Sequence, residues 1–265
     1  MEEYVLITGA TSGIGREFVK LFAADGFNII LSSTSKELLD NEKKELEKKY
    51  KYIKIYTIAK DLSKDDSTKE IYEELKKEKI NVSILINNAG FGYFGKLTDS
   101  DIDKNNALIS VNVDALVNLS YYFGKEMAKR KKGKILNVGS IAAFQGGPYM
   151  ATYYASKAFV VSFSEALTEE LKNDNVSVTC LCPGPTRTNF EKTANLQKSY
   201  MFKKMDTCSA EYVARIGYNA LMKGKSLVTS GFPNKVVVFL TRLSPRILNA
   251  KVSGWINLGK LKQKK

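Results

Sequence analysis

Three residues in this chain have the types and spacing to move a proton: Ser140, Tyr153 and Lys157. Tyr153 and Lys157 are four apart in the run Tyr153-Tyr154-Ala155-Ser156-Lys157, and on a helix that spacing stacks two side chains on one face. The sequence contains no histidine, so proton transfer near neutral pH must use another group. A free tyrosine titrates near pH ~10 and needs help to act at neutral pH. A nearby ammonium favours the phenolate and would lower that value. A serine hydroxyl beside the pair would hold the oxygen that receives or loses the proton. Each residue also has an ordinary reading: a half-buried helix tyrosine, a solvated lysine, a turn-capping serine.

The elements that must position these groups follow from the pattern. The 265 residues are 44% hydrophobic and 26% charged, enough for one globular domain with a substantial core. Apolar runs suited to buried parallel strands occur at 5–8, 28–32, 53–59, 82–87, 134–139, 176–181 and 226–229, with helical stretches at 15–24, 36–49, 64–78, 102–129, 152–173 and 210–222. The alternation predicts an α/β fold, a doubly wound seven-stranded parallel sheet. Asp25-Gly26 and Lys132-Gly133 each end a helix and admit a strand. The polar, irregular stretch 188–207 follows a strand at the carboxyl edge of the sheet, where ligands bind in such folds.

Cys180, Cys182 and Cys208 have no metal-ligand spacing, and no histidine exists to complete a mixed site. No metal is expected, and the cysteines read as reduced thiols of an intracellular protein. Met1 leads almost directly into the first strand without a signal peptide, which predicts a cytoplasmic location.

Thr8-Gly9-Ala10-Thr11-Ser12-Gly13-Ile14-Gly15 links the first strand to the first helix. Gly9 permits a tight turn, Gly13 lets backbone approach a pyrophosphate, and Gly15 allows helix to pack closely on sheet. Free N–H groups at the helix start attract anionic oxygens. Alone, such a loop is weak. It is followed in order by Asn87-Asn88-Ala89-Gly90, by Ser140 with Tyr153-x-x-x-Lys157, and by Pro183-Gly184-Pro185-Thr186-Arg187-Thr188. From residue 4 to about 230 the chain therefore resembles the short-chain dehydrogenase/reductase family, with its Rossmann-type fold.

That resemblance implies roles. Tyr153 would be the acid for carbonyl reduction and the base for alcohol oxidation, and Ser140 would bind the substrate oxygen. Lys157 would lower the tyrosine's pKa and hydrogen-bond the nicotinamide ribose. Asn112 would distort its helix and hold a water in a proton relay to Lys157. Cofactor contacts would come from Gly9, Thr11, Ser12, Gly13, Ile14 and Gly15, then Ser33 and Thr34, and Asp61 and Leu62 beside adenine. Asn88, Ala89 and Gly90 would lie along the adenosine ribose, with Pro183, Gly184, Thr186 and Thr188 flanking the nicotinamide and pyrophosphate. The implied activity interconverts a carbonyl and a secondary alcohol on a small or apolar substrate by hydride transfer. Phe144, Tyr149 and Met150, with Phe190, Leu196, Tyr200, Met201 and Phe202, suggest an apolar substrate pocket. The alternative is a non-catalytic nucleotide sensor or scaffold, and the intact Ser-Tyr-Lys set argues against it.

A carboxylate after the second strand would bind the ribose 2′-OH and repel a 2′-phosphate. Leu31-Ser32-Ser33-Thr34-Ser35-Lys36 has none, which favours NADP(H) over NAD(H), although Ser12 stands where many NADP-preferring members carry Arg or Lys.

The net charge of +13 is concentrated at one end. Residues 212–265 carry 11 Lys plus Arg and no Asp or Glu, leaving 30 basic against 28 acidic residues before them. The chain divides into a dinucleotide-binding domain at 1–230 and a basic amphipathic extension at 231–265, broken near Ser244-Pro245. Three readings of the extension compete: packing on the body or on a partner subunit, contact with an anionic membrane surface, and steering of an anionic substrate such as an acyl thioester of coenzyme A. Nucleic-acid binding is not expected, since no recognised motif accompanies the charge. A homodimer or homotetramer built on helices 102–129 and 152–173 is implied by the family.

Overall fold

Strict alternation of side chains along the central strands divides the core into two layers. Val5, Ile7, Ile29 and Leu31 face one side of the sheet, and Tyr4, Leu6 and Ile30 face the other. Both sets are buried, as expected for parallel strands covered by helices on both faces. The computed structural model describes residues 2–188 and 207–258.

Seven parallel strands form the sheet: β1 (Glu3–Thr8), β2 (Asn28–Ser33), β3 (Ile55–Ala59), β4 (Asn81–Asn87), β5 (Gly133–Val138), β6 (Val176–Cys182) and β9 (Leu227–Thr229). Their order is β3-β2-β1-β4-β5-β6-β9. The order reverses between β1 and β4, which opens a crevice at their carboxyl ends. Helices α1 (Gly13–Ala24), α2 (Lys36–Lys49) and α7 (Ala210–Met222) cover one face through Phe18, Phe22, Leu39, Leu46 and Val213. Helices α3 (Ser67–Lys77), α5 (Ala115–Lys129) and α6 (Ala151–Leu171) cover the other, with Ile71, Leu75, Leu119, Phe123 and Met127 in the core. Tyr218 of α7 packs edge-on against Phe22 and donates to Asp25, clasping α7 to the end of α1.

The stretch 102–129 is not a uniform helix. Helix α4 (Ile102–Ile109) passes through a π-helical turn at Ser110–Asp114 before α5 begins. A two-stranded ribbon of β7 (Thr186–Arg187) and β8 (Cys208–Ser209), which sequence patterning does not reveal, joins the two ends of the stretch between them.

A row of buried amides and hydroxyls crosses the second layer. Asn87 Nδ2 donates to Asn137 Oδ1 at 2.9 Å and to Ser120 Oγ at 3.0 Å, and Asn137 Nδ2 donates to Ser164 Oγ at 2.9 Å. It ties β4, β5, α5 and α6 together through side chains that are all buried.

Beyond the sheet, α8 (Phe232–Leu243) and α9 (Arg246–Leu258) follow one another across a break at Ser244-Pro245. Among the described residues no helix is long and apolar enough to cross a membrane.

Candidate active site

The glycine loop is shaped by backbone that no larger residue would allow. Gly9 has φ +64° and Gly13 φ +53°, in the left-handed region that side chains disfavour. A Cβ at Gly15 would lie 2.2 Å from the carbonyl oxygen of Gly9. Asn88 locks the loop to β4: its Nδ2 donates to Thr8 O at 2.8 Å, and its backbone N–H donates to Thr8 Oγ1 at 3.0 Å. Thr8 Oγ1 also accepts from Ala89 N at 2.9 Å. Sequence reasoning missed Thr8 as a positioning residue. Its sole signal was its place at the strand end before Gly9.

At the start of α1, the Ser12 side chain makes no capping hydrogen bond, and no acidic residue occupies the first turn. The helix dipole there is left to an incoming anion. The bare glycine backbone and the uncapped helix start fit a pyrophosphate. Thr188 lies over this loop: a Cβ at Gly13 would stand 3.0 Å from Thr188 Cγ2.

A cleft of about 270 Å³ runs from this loop across the carboxyl ends of β4, β5 and β6. Gly9, Ser12, Gly13, Ile14, Asn88, Ala89 and Gly90 border it on one side. Ser140, Tyr153, Lys157, Pro183, Gly184, Thr186 and Thr188 border it on the other. Thr11, Ser33, Thr34, Asp61 and Leu62 are not part of that lining. They sit at the loop and at the ends of β2 and β3, where Thr11 Oγ1 and Ser33 Oγ share a hydrogen bond of 2.9 Å. Asp61 Oδ1 accepts from Ser63 N and Ser63 Oγ, which holds the carboxyl below its usual range.

Ser140 follows β5 in extended conformation, and its Oγ accepts from Ala142 N at 3.1 Å. The same hydroxyl hydrogen-bonds Tyr153. Tyr153 and Lys157 share one face of α6, with the ammonium 5.9 Å from the ring centre. Lys157 is buried and its Nζ donates to Val138 O at 2.8 Å. The sequence suggested that the lysine lowers the tyrosine's pKa. Here burial dominates both groups. Desolvation pushes the Tyr153 phenol up to about 12, with the Ser140 hydrogen bond acting the other way, and pushes Lys157 down to about 8. A carbonyl oxygen reaching Ser140 would therefore meet a phenol that carries its proton.

Asn112 stands in the π-helical turn, buried and outside the cleft lining. Its Nδ2 donates to Phe91 O at 3.0 Å and Ser156 Oγ at 3.1 Å, and its Oδ1 accepts from Phe91 N at 3.1 Å. Ser156 Oγ in turn donates to Tyr153 O at 2.7 Å. Asn112 is thus connected to the backbone of α6 beside Tyr153.

The apolar wall differs from the sequence expectation. Met150 borders the cleft, together with Ala142, Gln145 and Tyr154, which sequence reasoning did not select. Phe144 instead packs toward Val160 and Val161 beneath Arg242, and Tyr149 stacks on Phe94 with φ +68°. Phe190, Leu196, Tyr200, Met201 and Phe202 lie outside the described residues.

The reversed strand order, the glycine loop and the Ser-Tyr-Lys cluster define a dinucleotide-binding α/β protein with an acid–base site at the switch point. The family model described as short chain dehydrogenase matches residues 3–199, and the chain belongs to that family. Its members are nicotinamide-dependent oxidoreductases that work between alcohols and carbonyls. Very-long-chain 3-oxoacyl-CoA reductases are among its relatives. That of Laccaria bicolor is 34% identical over 241 residues, covering 89% of this chain and 68% of the relative. That of Neurospora crassa is 37% identical over 179 residues, covering 66% of this chain and 53% of the relative. The chain thus spans about half to two thirds of the length of these relatives. A short-chain dehydrogenase from Sphingobium yanoikuyae solved in complex with NADPH superposes with a TM-score of 0.80 at 25% identity, over 86% of this chain and 87% of that one.

Proposed function

We propose that this protein is an NADP(H)-dependent reductase of a ketone on an apolar, acyl-type substrate, a 3-oxoacyl group above all. The observation that carries the reading is the convergence of Ser140, Tyr153 and Lys157 on one cleft beside the glycine loop. A nicotinamide bound there supplies the hydride. Ser140 Oγ holds and polarises the substrate oxygen. As the carbonyl carbon gains hydride, its oxygen gains the electron pair of the C=O π bond and takes the proton from Tyr153 Oη. Lys157 places a cation beside the phenolate that is left, and solvent protons restore it. Asn112 fixes the backbone around Tyr153 and is the natural anchor of a water leading toward Lys157.

The hydroxyl-lined, carboxylate-free end of β2, with Ser33 bonded to Thr11, supports the phosphorylated cofactor. The names of the fungal relatives and the apolar wall of Ala142, Met150 and Tyr154 support an acyl chain. Tyr121 on α5 and Phe159 on α6 are exposed, which supports pairing of copies along these helices.

The test is consumption of NADPH with soluble ketones and with 3-oxoacyl-CoA esters of increasing chain length. Turnover that grows with chain length is expected. Cofactor binding without turnover of any carbonyl would leave the sensor reading instead.

A further inference from the structure

Helix α9 is amphipathic in the opposite sense to an ordinary surface helix, whereas the buried position of α8 is Val238. Every fully buried position of α9 is polar or glycine: Asn249, Ser253, Gly254 and Asn257. Asn249, Ser253 and Asn257 recur at intervals of four: Asn249 Nδ2 donates to Thr241 O of α8 at 2.9 Å, and the other two hold the first turn of α6 and the loop before it. Ser253 Oγ donates to Tyr154 Oη at 3.4 Å, and Asn257 Nδ2 donates to Pro148 O at 2.9 Å. A Cβ at Gly254 would stand 3.1 Å from Pro148.

The apolar side chains point the other way. Ile247 is 73% exposed and Trp255 49%, and on α8 Leu243 is 69% and Phe239 60% exposed. Interspersed with them are Lys235, Arg242, Arg246 and Lys251, and neither helix contains a carboxylate. An apolar face of this size on a lone protein in water marks a surface that is covered.

We propose that this face rests on a bilayer containing anionic lipid, lying in the plane of the interface with its apolar side chains at the acyl boundary and its cations among the headgroups. The helices have 12 and 13 residues, far short of the ~20 needed to span. Charge complementarity selects the occupant. A second copy seated on the same face would set four cations against four others with no carboxylate between them, whereas an anionic surface neutralises all of them. The inference stands on these two helices alone. It also deepens the proposed activity, on which this consequence rests: α9 grips Pro148 and Tyr154 at the edge of the cleft, so docking brings the cleft to the lipid from which an acyl substrate would come.

Trp255 is the chain's single tryptophan and reports docking directly. The full chain is mixed with phosphatidylcholine vesicles and with vesicles containing phosphatidylglycerol, at low and high salt, and read by co-sedimentation and Trp255 emission. Binding confined to the anionic vesicles, a blue-shifted emission and at least about tenfold weakening by high salt are expected. The triple variant Phe239→Ser, Leu243→Ser, Ile247→Ser should lose binding with NADPH affinity unchanged. Lys235→Gln with Lys251→Gln, both exposed, should weaken binding about tenfold. Two results overturn the proposal: no binding to anionic vesicles, or a dimer in sedimentation equilibrium that the triple variant dissociates, which would make the face a contact between protomers.

Discussion

Asn112 and Lys157 face one another across the bare Cα of Gly90. A Cβ built there would lie 2.9 Å from Asn112 Oδ1 and 3.5 Å from Lys157 Nζ. The Asn112 amide cannot move aside freely, because it is held by Phe91 and Ser156. Gly90→Ala should cost about 1–3 kcal/mol of stability, the usual range for overpacking, and should lower turnover through displacement of Asn112. Urea unfolding and steady-state rates check this. A variant with parental stability and rate would contradict the crowding.

Tyr153→Phe keeps the ring and removes the proton. Turnover should fall about 100- to 10,000-fold, the usual worth of a positioned acid. NADPH affinity, measured by fluorescence titration, should stay within a few-fold. Full activity in this variant would exclude Tyr153 as the acid.

Buried Lys157 and half-buried Tyr153 set opposite pH windows for stability. Lys157 falls from its ordinary 10.5 to about 8 on folding. Between those values the unfolded chain binds a proton that the folded chain does not, so stability rises with pH there and the gain is lost as pH falls through about 8. Tyr153 rises from 10.0 to about 12, so its contribution is present below 10 and is lost as pH climbs toward 12. The urea midpoint of the parent should therefore rise with pH between about 8 and 10 relative to Lys157→Met. Parallel slopes would refute the lysine's burial penalty.

Two glycines separate strain from crowding. Gly26 has φ +80° but open space around its Cα, and Gly26→Ala should cost about 1 kcal/mol, with NADPH binding intact. At Gly15 the obstacle is backbone, the carbonyl of Gly9. Gly15→Ala should reshape the loop and abolish measurable NADPH binding in calorimetry. Equal cofactor affinity in the two variants would show that the loop does not hold the pyrophosphate.

Ser33→Asp places a carboxylate at the end of β2. The ratio of kcat/KM for NADPH over NADH should drop at least about tenfold, because the new charge repels a 2′-phosphate and accepts from a 2′-OH. An unchanged ratio would place the selectivity elsewhere.

Much of this architecture is legible in the chain because its causes are local. Continuous apolar runs marked all seven strands of the sheet to within two residues at each end. Glycine spacing marked the loop, and the four-residue interval put Tyr153 and Lys157 on one face. What escaped depends on tertiary surroundings. Two-residue strands such as Thr186–Arg187 have no periodicity to detect. Periodicity finds an amphipathic helix in α9 but does not say which face is buried, and there the buried face is the polar one. Aromatic residues near the site also misled: Phe144 turns into the α6 packing, and Tyr149 takes a left-handed backbone that its type disfavours. The sign of the balance at Tyr153 was hidden too, because spacing reveals a neighbouring cation but not the depth at which both groups are desolvated.

The row of Asn87, Asn137, Ser120 and Ser164 acts as a key for assembly. If β5 slid by one residue along β4, Asn137 would turn to the opposite face and Asn87 would be stranded in hydrocarbon. Aliphatic side chains alone would tolerate such an error, since one branched residue replaces another at little loss. Amides that hydrogen-bond in one alignment do not, so Ser140 at the end of β5 inherits its height relative to β4 from hydrogen bonds buried just beneath it.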